Sequence, residues 1–458
     1  MERVTETLVQ FAAGLQGDAL PPAAVEQTRL FMADYLAAGL AGYRINRSFN
    51  TAARYMLDCE ASDGSSAVLL DKRRYPATDA AFLNAVYAHG ADMDDGNRKA
   101  AGHIAAHVMS AVFALADTLE VSWGEVFAAI HVGYEFFNRI AGAAMPGLYN
   151  KGFHSTGVAG AVACGAACAR LLGLDAAGIY NSVSLSAIQS GGLILIDESG
   201  QGCKPVNPAN AAVIGIRSAR LAQGGADASR NPLESGKGWF HAFTDQADEA
   251  ELLEGLGSRF TMCESYLKLY PTCRHTHACI DAARQLRGRL TDPAAEIDRI
   301  EVFVYPAAIR SAGTIVMPRS RDEAKFSIAY ALATALVTGG FTLEDLEPTG
   351  CDPAVPALAG RVTLIPDPST EDRSKGLRGC RVGLRLHSGE TLEAAVPIPL
   401  GEGAGSLSFE EMDKKVIACA RGLLDEDSAV QLVRQCREIR LTDRYETLFP
   451  LSATAERG

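Results

Sequence analysis

Hydrophobic residues recur at helical spacing through most of the first 260 residues. The run from Pro21 to about Ala41 places its leucines on one face, and a proline pair at its start is typical of a helix N-terminus. Ser122 and Glu125 have capping-box spacing and precede an apolar run over 126–140. These patterns predict a series of packed helices.

Two further helices are indicated by their ends or by small residues. Thr78 is predicted to cap a helix that runs to Ala88 and ends at Gly90. The segment 156–172 is rich in Gly, Ala and Cys, which lets helix backbones approach closely. We expect this segment to form a buried central helix.

The periodicity changes after residue 262, where apolar and polar residues begin to alternate as in half-buried strands. A helix is predicted at 322–338, and helices return at 409–424 and 428–437. The predicted strands cover 297–305, 361–365, 379–386 and 391–396. We therefore predict a mainly α fold with a smaller α+β domain. The predicted domains are a helical domain at 1–264, an α+β lid at 265–405, and C-terminal helices at 406–458 that return to the helical domain.

Composition narrows the classes of partner and compartment. The chain has 458 residues and a net charge of −12, so nucleic acid is not an expected partner. Its 11 cysteines include no CxxC pair, and its first residues do not resemble a signal peptide, which favours a cytoplasmic protein. No apolar stretch is long enough to predict a membrane helix.

The sequence contains no nucleotide-binding, serine-hydrolase or zincin motif. The main candidate site is therefore a dense cluster of polar residues in the helical region. Three interpretations stay open at this point. Acids and imidazoles can act in proton transfer, or His103 and His107 at i, i+4 could bind a metal with nearby carboxylates. The third interpretation is that the groups are solvated and that Asp95 or Asn97 caps the next helix. The cluster comprises His89, Asp92, Asp94, Asp95, His103 and His107.

Three other segments carry candidate residues. His154 would lie at the start of the small-residue helix, as an anion-facing imidazole or a structural cap. Lys204 precedes a proline and an Ala-rich helix, as a carboxylate-binding group or a solvated surface lysine. The segment from Lys268 to His277 includes Cys273, which raises the alternatives of a thiol nucleophile or a metal ligand.

Taken in order, these segments resemble the MmgE/PrpD family, which includes 2-methylcitrate dehydratases, cis-aconitate decarboxylase and iminodisuccinate epimerase. The resemblance spans about residues 5–450 and no single motif is specific, but the order of the motifs is. The matching motifs are His89 with Asp92, Asp94 and Asp95, then His103, Gly152-Phe153-His154, Lys204-Pro205 before Ala211-Ala212, Lys268 to Cys273 with His277, and Phe326-Ser327 with Tyr330.

The resemblance implies a homodimeric enzyme without cofactor or metal, with its active site between a helical domain and an α+β lid. It implies proton abstraction α to a carboxylate of a small di- or tricarboxylate, leading to dehydration first, or to decarboxylation or epimerisation. By resemblance, the catalytic residues are Asp92, His103, His154, Lys204 and Tyr330. By the same argument, Lys268, Cys273 and His277 bind the substrate.

The sequence also departs from the family pattern. Gly96 stands where many members have Thr or Ser, Ile104-Ala105 replaces a small polar pair, and Cys273 stands where the decarboxylase has His. Two other classes of protein are alternatives. One is a metal-dependent hydrolase that uses His89, Asp94, Asp95, His103 and His107, and the other is a family member that has lost activity.

Overall fold

The computed structural model of the chain describes residues 3–59, 63–195, 202–372, 377–402 and 407–449. The chain divides into two compact units, Met1–Leu267 with Gly403–Gly458, and Lys268–Glu402. The first unit is largely helical, and the second combines helices with a sheet. The predicted fold class, mainly α with a smaller α+β part, is confirmed. The lid role of the second unit stays a prediction.

The described residues form α-helices and strands with the following bounds. The helices of the first unit up to residue 267 are α1 (Val4–Gly14), α2 (Pro22–Ile45), α3 (Arg47–Asp58), α4 (Ala77–Gly90), α5 (Ala105–Ala116), α6 (Trp123–Ala144), α7 (Gly147–Asn150), α8 (Ser155–Leu171), α9 (Ala176–Ala187), α10 (Val206–Gln223), α11 (Trp239–Phe243) and α12 (Glu249–Leu253). The helices of the second unit are α13 (Arg274–Arg287), α14 (Pro293–Glu296), α15 (Pro306–Ala312), α16 (Arg321–Lys325), α17 (Ile328–Thr338) and α18 (Ala354–Ala359). The C-terminal helices are α19 (Phe409–Ala420) and α20 (Glu426–Glu438). The strands are β1 (Ser66–Val68), β2 (Asp71–Tyr75), β3 (Ile297–Val304), β4 (Val362–Pro366), β5 (Glu371–Asp372), β6 (Leu377–Arg378), β7 (Cys380–Leu386) and β8 (Thr391–Val396).

Helix α8 lies at the centre of the first unit, and all of its residues are buried. Helices α5, α6, α9 and α10 pack around it. A Cβ atom on Gly215 of α10 would overlap Cys164 of α8, and one on Gly165 of α8 would overlap Ser186 of α9. The backbones therefore approach as closely as small residues allow, which confirms the predicted central helix.

The C-terminal helices α19 and α20 pack against α2 within the first unit. Lys415 of α19 forms an ion pair with Asp34 of α2, and both side chains are buried. Lys415 Nζ also donates to the carbonyl oxygen of Met93, at 3.0 Å. Because Met93 follows α4, this lysine links the C-terminal helices to the loop that carries the acidic cluster.

The second unit is built on a four-stranded sheet with the order β4-β3-β7-β8. Strand β3 pairs parallel to β4 and antiparallel to β7, and β7 pairs antiparallel to β8. Helices α13 and α17 pack together, and α13 also contacts β7 and β8. The four strands predicted from alternation are confirmed within one or two residues at each end.

The ends of some elements differ from the sequence-based expectations. The capping box of Ser122 and Glu125 is confirmed, because both of its hydrogen bonds are present. Capping by Thr78 is wrong: α4 begins after Pro76, whose fixed φ suits a helix start, and its N-cap has no side-chain hydrogen bond. The helix predicted at 322–338 is two helices, because the side chain of Ser327 caps a new start at α17. The hairpin of β1 and β2 was not predicted, and in the described part of the chain no helix is long and apolar enough to span a membrane.

Replacing Lys415 with Met should lower the free energy of unfolding by about 3–5 kcal/mol, since Asp34 would keep a buried charge without its ammonium partner. Urea unfolding followed by circular dichroism measures this change. Lys414→Met is the matched control, because Lys414 is exposed and pairs with Glu410 one turn away, where solvent screens the interaction. Equal changes for the two variants would contradict the structural role of Lys415.

Candidate active site

The loop between α4 and α5 is held in place by the carboxylate of Asp95. Its Oδ1 accepts hydrogen bonds from the amides of Ile104 at 3.2 Å and Ala105 at 2.9 Å, which caps the start of α5. Its Oδ2 accepts a bond from the hydroxyl of Tyr134 at 2.8 Å. Burial raises the pKa of Asp95 to about 7, although these donors favour the charged form. Capping by Asp95 is confirmed, but the carboxylate is buried rather than solvated.

His103 lies just before α5, and its orientation is fixed from two sides. Its amide donates to the Thr156 hydroxyl of α8 at 3.1 Å. Its ring Nδ1 lies 2.8 Å from the carbonyl oxygen of Asp95. A carbonyl oxygen only accepts, so Nδ1 carries the hydrogen in the neutral ring. The Nε2 lone pair is then free to face Lys204, whose Nζ lies 3.5 Å away.

Lys204 and Asp92 form an ion pair at this position, although 112 residues separate them in the chain. Lys204 Nζ lies 2.7 Å from Asp92 Oδ1, and the same oxygen lies 3.6 Å from Nε2 of His103. Asp92 has a φ of 54°, in the left-handed region that few non-glycine residues adopt. The prediction that His103 and Lys204 lie together is confirmed.

Asp94 lies on the other side of the His103 ring and is fully buried. Its Oδ2 is 2.8 Å from Nδ1 of His89, and its Oδ1 is 3.4 Å from Nδ1 of His103. Burial acts to raise the pKa of Asp94, but His89 and His103 outweigh it and hold that pKa well below its usual range. Burial lowers the pKa of His89 to about 4. At neutral pH an ionised carboxylate therefore contacts a neutral imidazole.

His154 is the N-cap residue of α8, at the predicted start of this helix. Its Nδ1 lies 3.0 Å from the side-chain nitrogen of Asn207. Burial, and then the charge of Lys204, hold the pKa of His154 well below its usual range. The ring of His89 lies 4.7 Å from that of His103 and 6.0 Å from that of His154, between centroids. Three predicted site residues, Asp92, His103 and Lys204, are thus in direct contact, and His154 lies beside them.

The packing of Tyr266 explains why position 96 is a glycine. A Cβ atom there would overlap the phenol ring of Tyr266. The two residues also exchange backbone hydrogen bonds, at 3.0 Å and 2.7 Å. The Tyr266 ring therefore fills the space that a side chain at position 96 would need.

Two of the predicted site residues in the second unit have hydrogen-bond partners within that unit. The Nδ1 of His277 accepts a bond from Arg274 at 2.9 Å, and its Nε2 donates to the carbonyl oxygen of Thr272 at 3.3 Å. The hydroxyl of Tyr330 donates to the carbonyl oxygen of Asp345 at 2.8 Å. These bonds satisfy both side chains without a substrate, and their functional roles stay predictions.

Lys268 and Cys273 lie at the beginning of the second unit. Lys268 is buried, and Cys273 is the half-buried N-cap residue of α13. The amide of Cys273 donates to the carbonyl oxygen of Lys325 at 2.8 Å. Their predicted roles in substrate binding also stay predictions.

Three of the five residues proposed as metal ligands lie close enough together to bind one ion. Among the described residues, ligand atoms of His89, Asp94 and His103 lie within 4.8 Å of one another. The Nδ1 atoms of both histidines already have partners, in Asp94 and in the carbonyl of Asp95. A metal bound there would replace these bonds, so the geometry fits a hydrogen-bonded network better than a ligand set.

Two residues at the site were given no catalytic role by the sequence. In the sequence, Asp94 is a member of the polar cluster and a candidate metal ligand, and no motif marks Asn207. The available signal for Asn207 is its position three residues after Lys204, in the first turn of α10. Its partner His154 lies 53 residues earlier, and no spacing rule connects the two.

The chain is similar to one family over most of its length. The MmgE/PrpD N-terminal domain matches residues 6–251, and the MmgE/PrpD C-terminal domain matches residues 270–439. The chain therefore belongs to the MmgE/PrpD family, which confirms the resemblance found in the sequence.

Several relatives are similar to the chain at low identity. A cis-aconitate decarboxylase-like protein, oryM, of Aspergillus oryzae is 28% identical over 93% of the chain and 92% of the relative. Cis-aconitate decarboxylase of Homo sapiens is 26% identical over 95% and 91%. A 2-methylcitrate dehydratase of Cupriavidus necator is 32% identical, over 29% of each chain. Decarboxylases and dehydratases of this kind are lyases, and the prediction that the chain is an enzyme of the lyase class is confirmed.

His107, a candidate ligand in the metal alternative, is fully buried one turn after His103. Neither of its ring nitrogens has a hydrogen-bond partner within the described ranges of the chain. Burial lowers the pKa of His107 to about 3, so the ring is neutral in the folded protein.

This burial predicts an acid-dependent loss of stability. Since the pKa of His107 is lower in the folded than in the unfolded chain, the free energy of unfolding should fall as pH decreases from about 6.5, by up to about 1.4 kcal/mol per pH unit. His107→Leu should make this slope shallower and cost little at pH 8, because no hydrogen bond is lost. Urea unfolding at pH values about 1 unit apart, between pH 5 and pH 8, measures how the free energy of unfolding depends on pH. Exposed His241→Leu is the control, and a His107→Leu slope equal to the wild-type slope would contradict the prediction.

Proposed function

We propose that the chain is a cofactor-independent lyase that removes a proton α to a carboxylate group of a small di- or tricarboxylate. One observation carries the proposal: the bare Nε2 of His103 lies 3.5 Å from the ammonium of Lys204. A base next to a cation is the arrangement that this reaction needs, since the cation binds the carboxylate and the base reaches the adjacent C–H bond.

The reaction begins when a substrate carboxylate binds Lys204 in place of Asp92. His103 Nε2 then takes the α proton, and negative charge moves onto the carboxylate oxygens as an enediolate. Lys204 stabilises that charge, because its ammonium is already held in position in a largely buried site. The proton on His103, or one from Lys204, then completes the reaction at the leaving group or at carbon.

Asp94 lies beside the proton acceptor in this scheme. The charges of Asp92 and Lys204 balance each other, whereas Asp94 is paired with an imidazole that is neutral at pH 7. The carboxylate of Asp94, 3.4 Å from Nδ1 of His103, therefore stabilises the imidazolium that forms when His103 accepts the proton.

Two outcomes compete. Loss of a hydroxyl group from the enediolate gives dehydration, which the sequence favoured. Decarboxylation instead breaks the bond from carbon to a carboxylate group: CO₂ leaves without the electron pair of that bond, and an acid of the site protonates the carbon that keeps the pair. Relatives named cis-aconitate decarboxylase cover more than nine-tenths of the chain, which supports decarboxylation as an equal candidate. Epimerisation, the homodimer, the cytoplasmic location and the roles of Lys268, Cys273, His277 and Tyr330 belong to the same proposal.

A screen of small di- and tricarboxylates tests the function. We expect turnover of at least one of them, detected as a new C=C bond by absorbance, as released CO₂ or as deuterium taken up from solvent. Dialysis against a chelator should leave this turnover intact. Complete loss that added metal reverses would favour the metal-dependent alternative, and no turnover of any compound would favour a family member without activity.

Replacing His103 with Gln should lower kcat by about 10²–10⁴-fold, because positioned acid–base catalysis is worth that much. The melting temperature should stay close to that of the wild type, since Gln keeps a polar side chain of similar length. Steady-state kinetics and thermal unfolding on one preparation measure both effects. His387→Gln, at an exposed histidine, is the control. Retention of most of the wild-type kcat would exclude His103 as the base.

A further inference from the structure

The side-chain amide of Asn207 has only one orientation that satisfies its neighbours. Its Nδ2 atom lies 3.0 Å from the carbonyl oxygen of Leu193 and 3.0 Å from Nδ1 of His154. A carbonyl oxygen accepts hydrogen bonds and never donates them, so the atom facing Leu193 must be the NH₂ group. The second N–H of this group is then directed at His154.

This orientation determines where the hydrogen of the neutral His154 ring lies. Because Asn207 donates to Nδ1, that nitrogen is bare and the hydrogen is on Nε2. No hydrogen bond to Nε2 is present among the described residues. The Nε2–H group is therefore left for a substrate, near Lys204 and the ring of His89.

The surroundings of Asn207 hold this arrangement in place. A Cβ on Gly157 would approach the Cβ of Asn207 to 3.3 Å, and one on Gly192 would approach its Oδ1 to 3.0 Å. The amide of His154 also donates to the carbonyl oxygen of Gly192, at 3.0 Å. The backbone on both sides thus leaves the Asn207 side chain little room to rotate.

We propose that Asn207 is a positioning residue that fixes the hydrogen of His154 on Nε2, so that His154 acts as a neutral hydrogen-bond donor to the negatively charged oxygen of the reaction intermediate. The catalytic part of this inference rests on the proposed function. A neutral imidazole is a very weak acid, so it stabilises the enediolate by donating a hydrogen bond and keeps its proton. Burial and the charge of Lys204 favour this neutral form of His154.

Imidazole ¹⁵N shifts of the full-length protein, labelled at histidine, test the position of the hydrogen without any turnover. The His154 signals are assigned by their loss in His154→Gln. We expect a bare Nδ1 and a protonated Nε2 in the wild type. In Asn207→Asp, Nδ1 should become protonated, because a carboxylate accepts and cannot donate. Asn50→Asp, at a buried asparagine that donates to the carbonyl oxygen of Gly42, should leave the His154 signals unchanged.

A protonated Nδ1 in the wild type would overturn the proposal, as would a bare Nδ1 in Asn207→Asp. Because the wild-type measurement needs no variant, the proposal can fail even if Asn207→Asp does not fold. It can also fail or hold independently of whether a carboxylate substrate is found.

Once a substrate is found, steady-state kinetics distinguish two roles of His154: a hydrogen-bond donor that keeps its proton, and a group that transfers a proton. The side-chain nitrogen of Gln can take the place of Nε2, donate and not titrate. His154→Gln should therefore keep kcat within about tenfold of the wild type, whereas His154→Leu should lose about 10²–10³-fold, the typical effect of removing one such donor. Equal losses for the two variants would show that His154 transfers a proton and would overturn this part of the proposal.

Discussion

The candidate site depends on the close approach of helix backbones around α8. Three residues of the candidate site lie at or just before the start of a helix: His103 before α5, His154 before α8 and Lys204 before α10. These starts can meet only if the helices pack at short distance, and the contact of Gly215 with Cys164 shows how short it is. Larger side chains along α8 would separate the three helix ends and with them the polar groups.

A second constraint is the pairing of buried charges around the site. Lys204 neutralises Asp92, and Lys415 neutralises Asp34. Asp94 differs from these two, because its hydrogen-bonded partner is a histidine rather than a lysine. The Asp94 carboxylate stays ionised, because its pKa is held well below its usual range, and it lies 3.4 Å from Nδ1 of His103 when a proton reaches that ring. In the proposed mechanism, the site therefore contains, before any substrate binds, the negative charge of Asp94 that stabilises the imidazolium of His103.

The sequence predicted the helices, the strands of the sheet and the residues of the site, but not the bonds between them. His103 and Lys204 could be placed together, since each stands at a helix start next to small residues. Asp95 could be placed at the cap of α5, although its burial could not be foreseen. The break before α17 was missed because the pattern of apolar residues continues across Ser327, and only the cap shows it. Asn207 was missed because its role depends on two atoms, in Leu193 and His154, that the fold brings to one nitrogen.

The two histidines differ in what their neighbours offer to Nδ1. A carbonyl oxygen faces Nδ1 of His103, so this ring keeps its hydrogen there and presents a lone pair on Nε2. An amide N–H faces Nδ1 of His154 in the arrangement that we propose, so this ring presents a hydrogen on Nε2. In the proposed mechanism, the same type of side chain thus serves as proton acceptor at one helix start and as hydrogen-bond donor at another. One backbone carbonyl and one asparagine are sufficient to produce that difference, and neither of them needs to touch the substrate.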